Sequence, residues 1–286
     1  MKGKKILVTG GSGDLGNVLA PRILSAGASM ISLDPEPSSQ LGVESVRGSI
    51  LDCSVLDELI ASSDIVVHIA AWHGYHAFTR SKSTQEFWDL NMTGTFNLLE
   101  ACARNDRKKF VFISSTSADE WPDVYGMTKV LGEELCRAYA MRHEMQILAL
   151  RPRAFIPWWN KKVYSSKADW AAWFARGAVH INDVAQSVML ACNVIDTTPA
   201  TFFDVIEIDG KHDFDAADRE AWTKNGAKQF LRERFPRFSD TIEKATFLPV
   251  EPPSYKDSAK ARSILGYEPT FGYEELLAEM GQFTLS

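Results

Sequence analysis

Three glycines spaced three residues apart, Gly10, Gly13 and Gly16, lie in TGGSGDLG, between the apolar run KKILVT and a segment of helical character. A tight strand-to-helix turn needs positive φ, and backbone that comes close to a pyrophosphate tolerates no Cβ. A helix opening at Asp14 and Leu15 adds unpaired N–H donors for phosphate oxygens. Asp34 follows Gly16 by 18 residues and ends the next apolar run, close to the spacing at which an acidic side chain takes the hydroxyls of a ribose. A carboxylate there repels a 2′-phosphate, and no Arg or Lys comes directly after it. These residues predict a dinucleotide site that prefers NAD to NADP, with Gly10, Gly13, Asp14, Leu15, Gly16 and Asp34 as its contacts.

A second group lies in SSTSADEWPDVYGMTK, where Ser115 ends an apolar run and Tyr125 and Lys129 follow. Side chains four apart leave the same face of a helix. The segment therefore carries a phenol and an ammonium on one helix face shortly after a strand-end hydroxyl.

An alternating pattern must position both groups. Residues 5 to 9, 29 to 34, 65 to 70, 110 to 114 and 146 to 150 are short runs rich in Val, Ile and Leu, with 43 to 48 a further short strand. Such runs suit strands buried on both faces. Between them, residues 14 to 26, 55 to 61, 84 to 103 and 124 to 142 have helix length. The alternation predicts an α/β fold, a Rossmann doubly wound parallel sheet with helices on both faces. After Arg151 the pattern breaks into a Trp-rich stretch, an amphipathic helix over 184 to 194 and a Pro-punctuated tail. The expected division is residues 1 to 151 for the cofactor and 152 to 286 for a smaller C-terminal substrate lobe, interleaved with the last strands of the sheet.

Composition narrows the function classes. Of 286 residues, 45% are hydrophobic and 24% charged, and the net charge is −6, which disfavours nonspecific binding to nucleic acid or an anionic membrane. No apolar run approaches the roughly 20 residues of a membrane span, and the basic start is followed by too short an apolar stretch for a signal peptide. The expected setting is cytoplasmic, with Cys53, Cys102, Cys136 and Cys192 as buried or half-buried thiols.

With these motifs in view, the chain resembles an extended short-chain dehydrogenase/reductase of the NAD-dependent epimerase/dehydratase family. Besides the glycine turn and YGMTK, it shows HIAA at 68–71, NMTGTFNLLEAC at 91–102, LRP at 150–152, VHINDVA at 179–185 and KARSILGYEPT at 260–270, in the family's order. The resemblance implies Tyr125 as the acid/base on a substrate hydroxyl or carbonyl. It implies that Lys129 lowers the pKa of that phenol and holds the nicotinamide ribose, and that Ser115 orients the reacting oxygen. Asn91 would hold the sheet-to-helix geometry or a water relay. Asp52 in GSILD and Ala70 in HIAA would touch the cofactor. A homodimer through helices 84–103 and 124–142 is implied as well.

Two departures shape the expected reaction. The connection from Ser115 to Tyr125 is only ten residues, shorter than in relatives that handle nucleotide sugars. Thr116 and Ser117 stand where a dehydratase carries an Asp-Glu pair, while Asp119 and Glu120 come later, so dehydration lacks its usual carboxyls. Substrate contacts are expected from Trp72, His73, Ser115 and Thr116, with Arg153 and Arg176 available to an anionic group. His73 and His76, three apart with no third ligand, make no metal site. The leading expectation is an NAD-dependent dehydrogenase acting on a free sugar, uronate or related polyol. A nucleotide-sugar epimerase and a non-catalytic NAD(H)-sensing protein are the alternatives.

Overall fold

A computed structural model describes residues 1–119, 123–211 and 213–283, and Glu120 lies outside that set. The apolar runs form β1 (Lys5–Thr9), β2 (Ser29–Asp34), β3 (Glu44–Arg47), β4 (Ile65–His68), β5 (Lys109–Ile113), β6 (Gln146–Pro152) and β7 (Phe202–Ile208). They make one parallel sheet in the order β3-β2-β1-β4-β5-β6-β7. The fold is therefore α/β with a Rossmann-type sheet. Strand order reverses between β1 and β4, and ligands of such sheets bind outside the carboxyl ends of the strands at that reversal.

The crossovers include α1 (Asp14–Ser25), α2 (Cys53–Ala61), α3 (Gly74–Phe78), α4 (Thr84–Phe87), α5 (Gly94–Arg104), α6 (Val124–His143), α7 (Lys167–Phe174) and α8 (Ile181–Thr197). The helix expected without interruption over 84 to 103 is divided: residues Trp88–Thr93 form a π-helical turn between α4 and α5. The extra residue lets Asn91 turn inward while Gly94, against whose Cα Ile50 packs, and Leu98 keep facing the core. A second expectation is corrected at the thiols, because Cys53 is exposed at the start of α2 while the other three are buried.

The chain divides into two compact units. One comprises Met1–Arg153, Val184–Ile208 and Ala259–Tyr267, and the other Ala154–Asp183, Asp209–Ser258 and the stretch from Glu268. In the first, Leu7, Ile31, Val66, Phe110 and Ile147 of the sheet pack with Leu56, Leu98, Leu99 and Cys136 of the helices, all essentially without exposed surface. The second has an aromatic core of Tyr164, Trp170, Phe174, Phe214, Trp222, Phe230 and Tyr273. Most of the Trp-rich stretch is core of this unit, although Trp159 remains 42% exposed. The buried Asp183 of VHINDVA accepts hydrogen bonds from the N–H groups of Thr270 and Phe271 and the Thr270 hydroxyl, at 2.9 to 3.1 Å. Two of the sequence motifs are thus one anchor within that unit. Among the described residues, no helix is long and apolar enough to cross a membrane.

Candidate active site

The three glycines answer to different constraints. Gly10 has φ +72°, and a Cβ there would lie 2.9 Å from the Ala70 nitrogen, so the ends of β1 and β4 meet at this point. A Cβ at Gly16 would collide with the Gly11 carbonyl, which makes Gly16 the residue that lets α1 pack on the turn. Gly13 is different: its backbone is extended (φ −73°, ψ 176°), it starts α1 without a side-chain cap, and its Cβ would meet only the Gly10 oxygen, at 3.3 Å. Asp14 and the buried Leu15 form the first turn of the helix.

At the end of β2, Asp34 accepts hydrogen bonds from the N–H groups of Ser12 (3.2 Å) and Glu36 (3.0 Å), which fixes its carboxylate against the glycine turn. Arg47 pairs with Asp34 in the β2–β3 register, and its Nε donates to the Pro35 carbonyl at 3.0 Å. No Arg or Lys directly follows Asp34 in the sequence, and sheet pairing brings a cation alongside it. Asp52 stands at the start of α2. It caps α2, and its bonds from the Ser54 hydroxyl (2.7 Å) and N–H (3.1 Å) hold its carboxyl below the usual range. The uncapped helix start, the bare Cα of Gly13 and the fixed Asp34 fit a dinucleotide.

Ser115, Tyr125 and Lys129 come together at the ends of β5 and α6. Ser115 is buried; its Oγ accepts from the Ser117 N–H at 3.1 Å and its hydroxyl hydrogen-bonds Tyr125. Asp123 caps α6 by accepting the Gly126 N–H at 2.9 Å, which sets the Tyr125 end of the helix. Burial pushes the Tyr125 phenol up to about 12, with the Ser115 hydrogen bond working against that rise. Lys129 is buried, and its Nζ donates to the Ile113 carbonyl at 2.7 Å while standing 5.7 Å from the Tyr125 ring centre. Burial draws its pKa down to about 8. The chain's own groups thus keep the phenol protonated near neutral pH. Lowering its pKa calls for additional positive charge in the site.

Behind this set lies an ionic brace. Glu133 of α6 is buried, accepts the Ser114 hydroxyl, and receives Arg151 Nε at 2.7 Å and its terminal nitrogen at 2.5 Å. The other terminal nitrogen of Arg151 reaches Asp119 at 2.6 Å. One guanidinium therefore ties β6, the middle of α6 and the segment after Ser115 together. It was not among the sequence candidates, since LRP names an arginine without naming its partners.

The segment after β4 closes on Tyr125 from another side. Asn91 is buried, and its side chain accepts the Trp72 N–H (2.8 Å) and donates to the Trp72 carbonyl (3.0 Å) and the Thr128 hydroxyl (3.0 Å). These bonds join Asn91 to the segment after β4 and to α6. His73 caps α3, accepting the Tyr75 N–H at Nδ1, and a Cβ on Gly74 would stand 3.3 Å from Tyr125 Cδ1. Burial pulls the His73 imidazole down to about 4, helped by the charges of His76 and Lys129. Thr116 opens the single helical turn that follows Ser115. Arg153 follows β6 in the first unit, half-buried, with its N–H on the Ile208 carbonyl at 3.0 Å, whereas Arg176 is exposed in the second unit. Among the described residues no group of three or more His, Cys, Asp or Glu could hold a metal ion.

His68 carries a consequence for stability. It is 2% exposed, and burial lowers its pKa from 6.5 to about 3. Between those values only the unfolded chain takes up the proton, so stability is full above about pH 6.5 and falls as pH drops toward 3. The loss amounts to roughly 1.4 kcal/mol per pH unit, about 3 kcal/mol by pH 4. Urea unfolding across this range should show it, and His68→Gln should flatten the slope, with His73 leaving a residual acid dependence. A slope identical in the variant would place the titration elsewhere.

Fold and site together define a dinucleotide-binding α/β protein with a Ser-Tyr-Lys set beside the nucleotide turn. The family described as "NAD dependent epimerase/dehydratase family" matches residues 6–200; the chain belongs to that family, and NAD is its cofactor. UDP-glucose 4-epimerase 2 of Oryza sativa subsp. japonica is 31% identical over 181 residues, 52% of this chain and 44% of that protein. L-arabinose 1-dehydrogenase (NAD(P)(+)) of Haloferax volcanii is 28% identical over 177 residues, 51% of this chain and 65% of that one. The chain spans about half the length of the first curated relatives it matches. Among solved structures, MoeE5 in complex with UDP-glucose and NAD superposes with a TM-score of 0.71 at 20% identity, covering 99% of this chain and 100% of that one, a likeness of fold.

Proposed function

We infer that the chain oxidises a carbinol of a sugar-like substrate, a free sugar, uronate or related polyol, as an NAD-dependent dehydrogenase. The observation that carries this is the convergence of Ser115, Tyr125 and Lys129 beside the Trp72–Gly74 segment, at the strand reversal where Gly10 and Ala70 meet. Gly13, the first turn of α1, Asp34 and Ala70 would hold NAD, which when bound supplies the acceptor for the hydride leaving the carbinol carbon. Tyr125 takes the hydroxyl proton, Ser115 orients the oxygen by hydrogen bonding, and Lys129 binds the ribose nearest the reaction while its charge favours the phenolate. Trp72, His73 and Thr116, joined to this set by chain or through Asn91, would shape the substrate pocket, and Arg153 of the same unit would face an anionic group of the substrate. The short connection between Ser115 and Tyr125 favours a compact substrate, and the Haloferax relative is named for oxidising a free pentose. The deciding experiment is a panel of sugars, uronates and nucleotide sugars read for NADH and for epimerised product. NADH accumulation supports the dehydrogenase; product without NADH makes the chain an epimerase; neither across the panel ends the reading.

The same reading includes a homodimer. Trp88 and Phe96 are each 44% exposed, and with Met92, Leu131 and Leu135 they line a surface hollow of about 490 Å³ on the face of α5 and α6. An apolar patch on two long helices suits the matching helices of a second copy. Phe96→Asp should shift the sedimenting species from dimer to monomer at micromolar concentration. An unchanged mass would rule out this face.

A further inference from the structure

Thr9, His68, Thr95 and Asn91 are each no more than 4% exposed, and their polar groups form one directed chain. Thr9 Oγ1 lies 2.8 Å from His68 Nδ1, and the Ala70 N–H donates to the Thr9 backbone carbonyl at 3.1 Å with Oγ1 a second acceptor at 3.4 Å. The Thr95 hydroxyl donates to the backbone carbonyl of Asn91 one turn earlier, at 2.5 Å, so in its 2.9 Å contact with His68 Nε2 the imidazole is the donor. Burial keeps the ring neutral, so its one proton is on Nε2 and Nδ1 accepts the Thr9 hydroxyl. Asn91 sits in the π-helical turn, where backbone pairing is offset by one residue. Its side chain holds both backbone groups of Trp72 and the Thr128 hydroxyl, which in turn donates to the Tyr125 carbonyl at 2.9 Å.

We propose that His68 is a positioning residue: through Thr95 and Asn91 it sets the Trp72 segment and the Tyr125 end of α6 relative to the end of β1 that carries the glycine turn. An imidazole that merely filled the core would need neither a fixed tautomer nor partners on two other elements, β1 and α5. The relay joins the strand ends at the nucleotide turn to the backbone of the acid/base residue, and an error in it displaces Tyr125 without touching the contacts of Gly13 or Asp34. This inference rests on the role given to Tyr125 under the proposed function.

The test uses His68→Leu, His68→Gln and Thr95→Val in the full chain. His68→Leu should lower kcat by at least about tenfold while the KM for NAD stays within about twofold, because misplacement acts on the reacting geometry rather than on cofactor affinity. Glutamine, which can still donate to Thr95, should recover most of that loss. Thr95→Val, which keeps the imidazole and breaks the link, should behave like leucine. A kcat within about twofold of wild type in folded His68→Leu or Thr95→Val overturns the proposal. So does a glutamine variant no better than leucine. If no substrate turns over, the functional reading alone has failed, and the relay is judged by proton exchange of the Asn91 carboxamide. Slow exchange in wild type that becomes fast in Thr95→Val sustains the relay; equal rates overturn it.

Discussion

Tyr125→Phe is expected to lower kcat by about 10² to 10⁴-fold, the range over which a positioned acid/base contributes, and to leave NAD affinity within about twofold. The substitution removes one oxygen and little else. The ring keeps its packing against Gly74, and Lys129 keeps its bond to the Ile113 carbonyl, so no buried ammonium is stranded. Only Ser115 loses a side-chain partner, and its Oγ still accepts the Ser117 N–H. The pH profile sharpens the test. Burial, with the Asp123 charge and against the Ser115 hydrogen bond, puts the phenol at about 12, and a cationic nicotinamide with the Lys129 charge would move it in the opposite direction, so turnover in the oxidative direction should rise with pH as the phenolate forms. The phenylalanine variant should lack that rise. A variant retaining a tenth or more of wild-type turnover, or the same pH limb, would assign the proton to another group, and His73, next to the Gly74 that lies against the tyrosine ring, would be the first to examine.

Much of this site was legible because its residues belong to the regular parts of the chain. Apolar runs buried on both faces mark the strands, and a turn between strand and helix leaves few residue types at Gly10 and Gly16. Ser115, Tyr125 and Lys129 could be read from a strand end and a helix start. What escaped depends on pairing across the fold. Arg47 comes beside Asp34 only through the β2–β3 register, which no local pattern encodes. Arg151 gains its meaning from Glu133 and Asp119, 18 and 32 residues away along the chain. The π-helical turn at Asn91 escaped because a single extra residue hardly disturbs an apolar periodicity carried by Leu98, Leu99 and Cys102. The stub of α3 was hidden because histidine is an uncommon helix cap. That Asp52 caps α2 was hidden for the converse reason: a carboxylate after a strand serves a helix N-terminus as readily as a nucleotide.

The glycine turn offers the second large effect, since its three glycines should respond differently to substitution. Gly10 requires positive φ and Gly16 has no room for a Cβ, so changes at either strain the protein itself. Gly13 has backbone angles of φ −73° and ψ 176°, which valine adopts readily, and its only close neighbour is the Gly10 oxygen at 3.3 Å. Gly13→Val should therefore lower the melting temperature by no more than about 3 °C, equivalent to about 1 kcal/mol in a chain of this size. The same branched side chain would stand over the uncapped start of α1, where a pyrophosphate must approach the N–H groups. NAD affinity should fall by at least about a hundredfold, or about 2.7 kcal/mol, while Gly16→Ala should lose stability first and affinity with it. Calorimetric titration with NAD, paired with thermal unfolding of each variant, separates the two. A Gly13→Val protein that binds NAD as wild type does would mean that the open Cα of this turn is not where the phosphates lie, and that the uncapped helix start, not the glycine spacing, is what the cofactor uses.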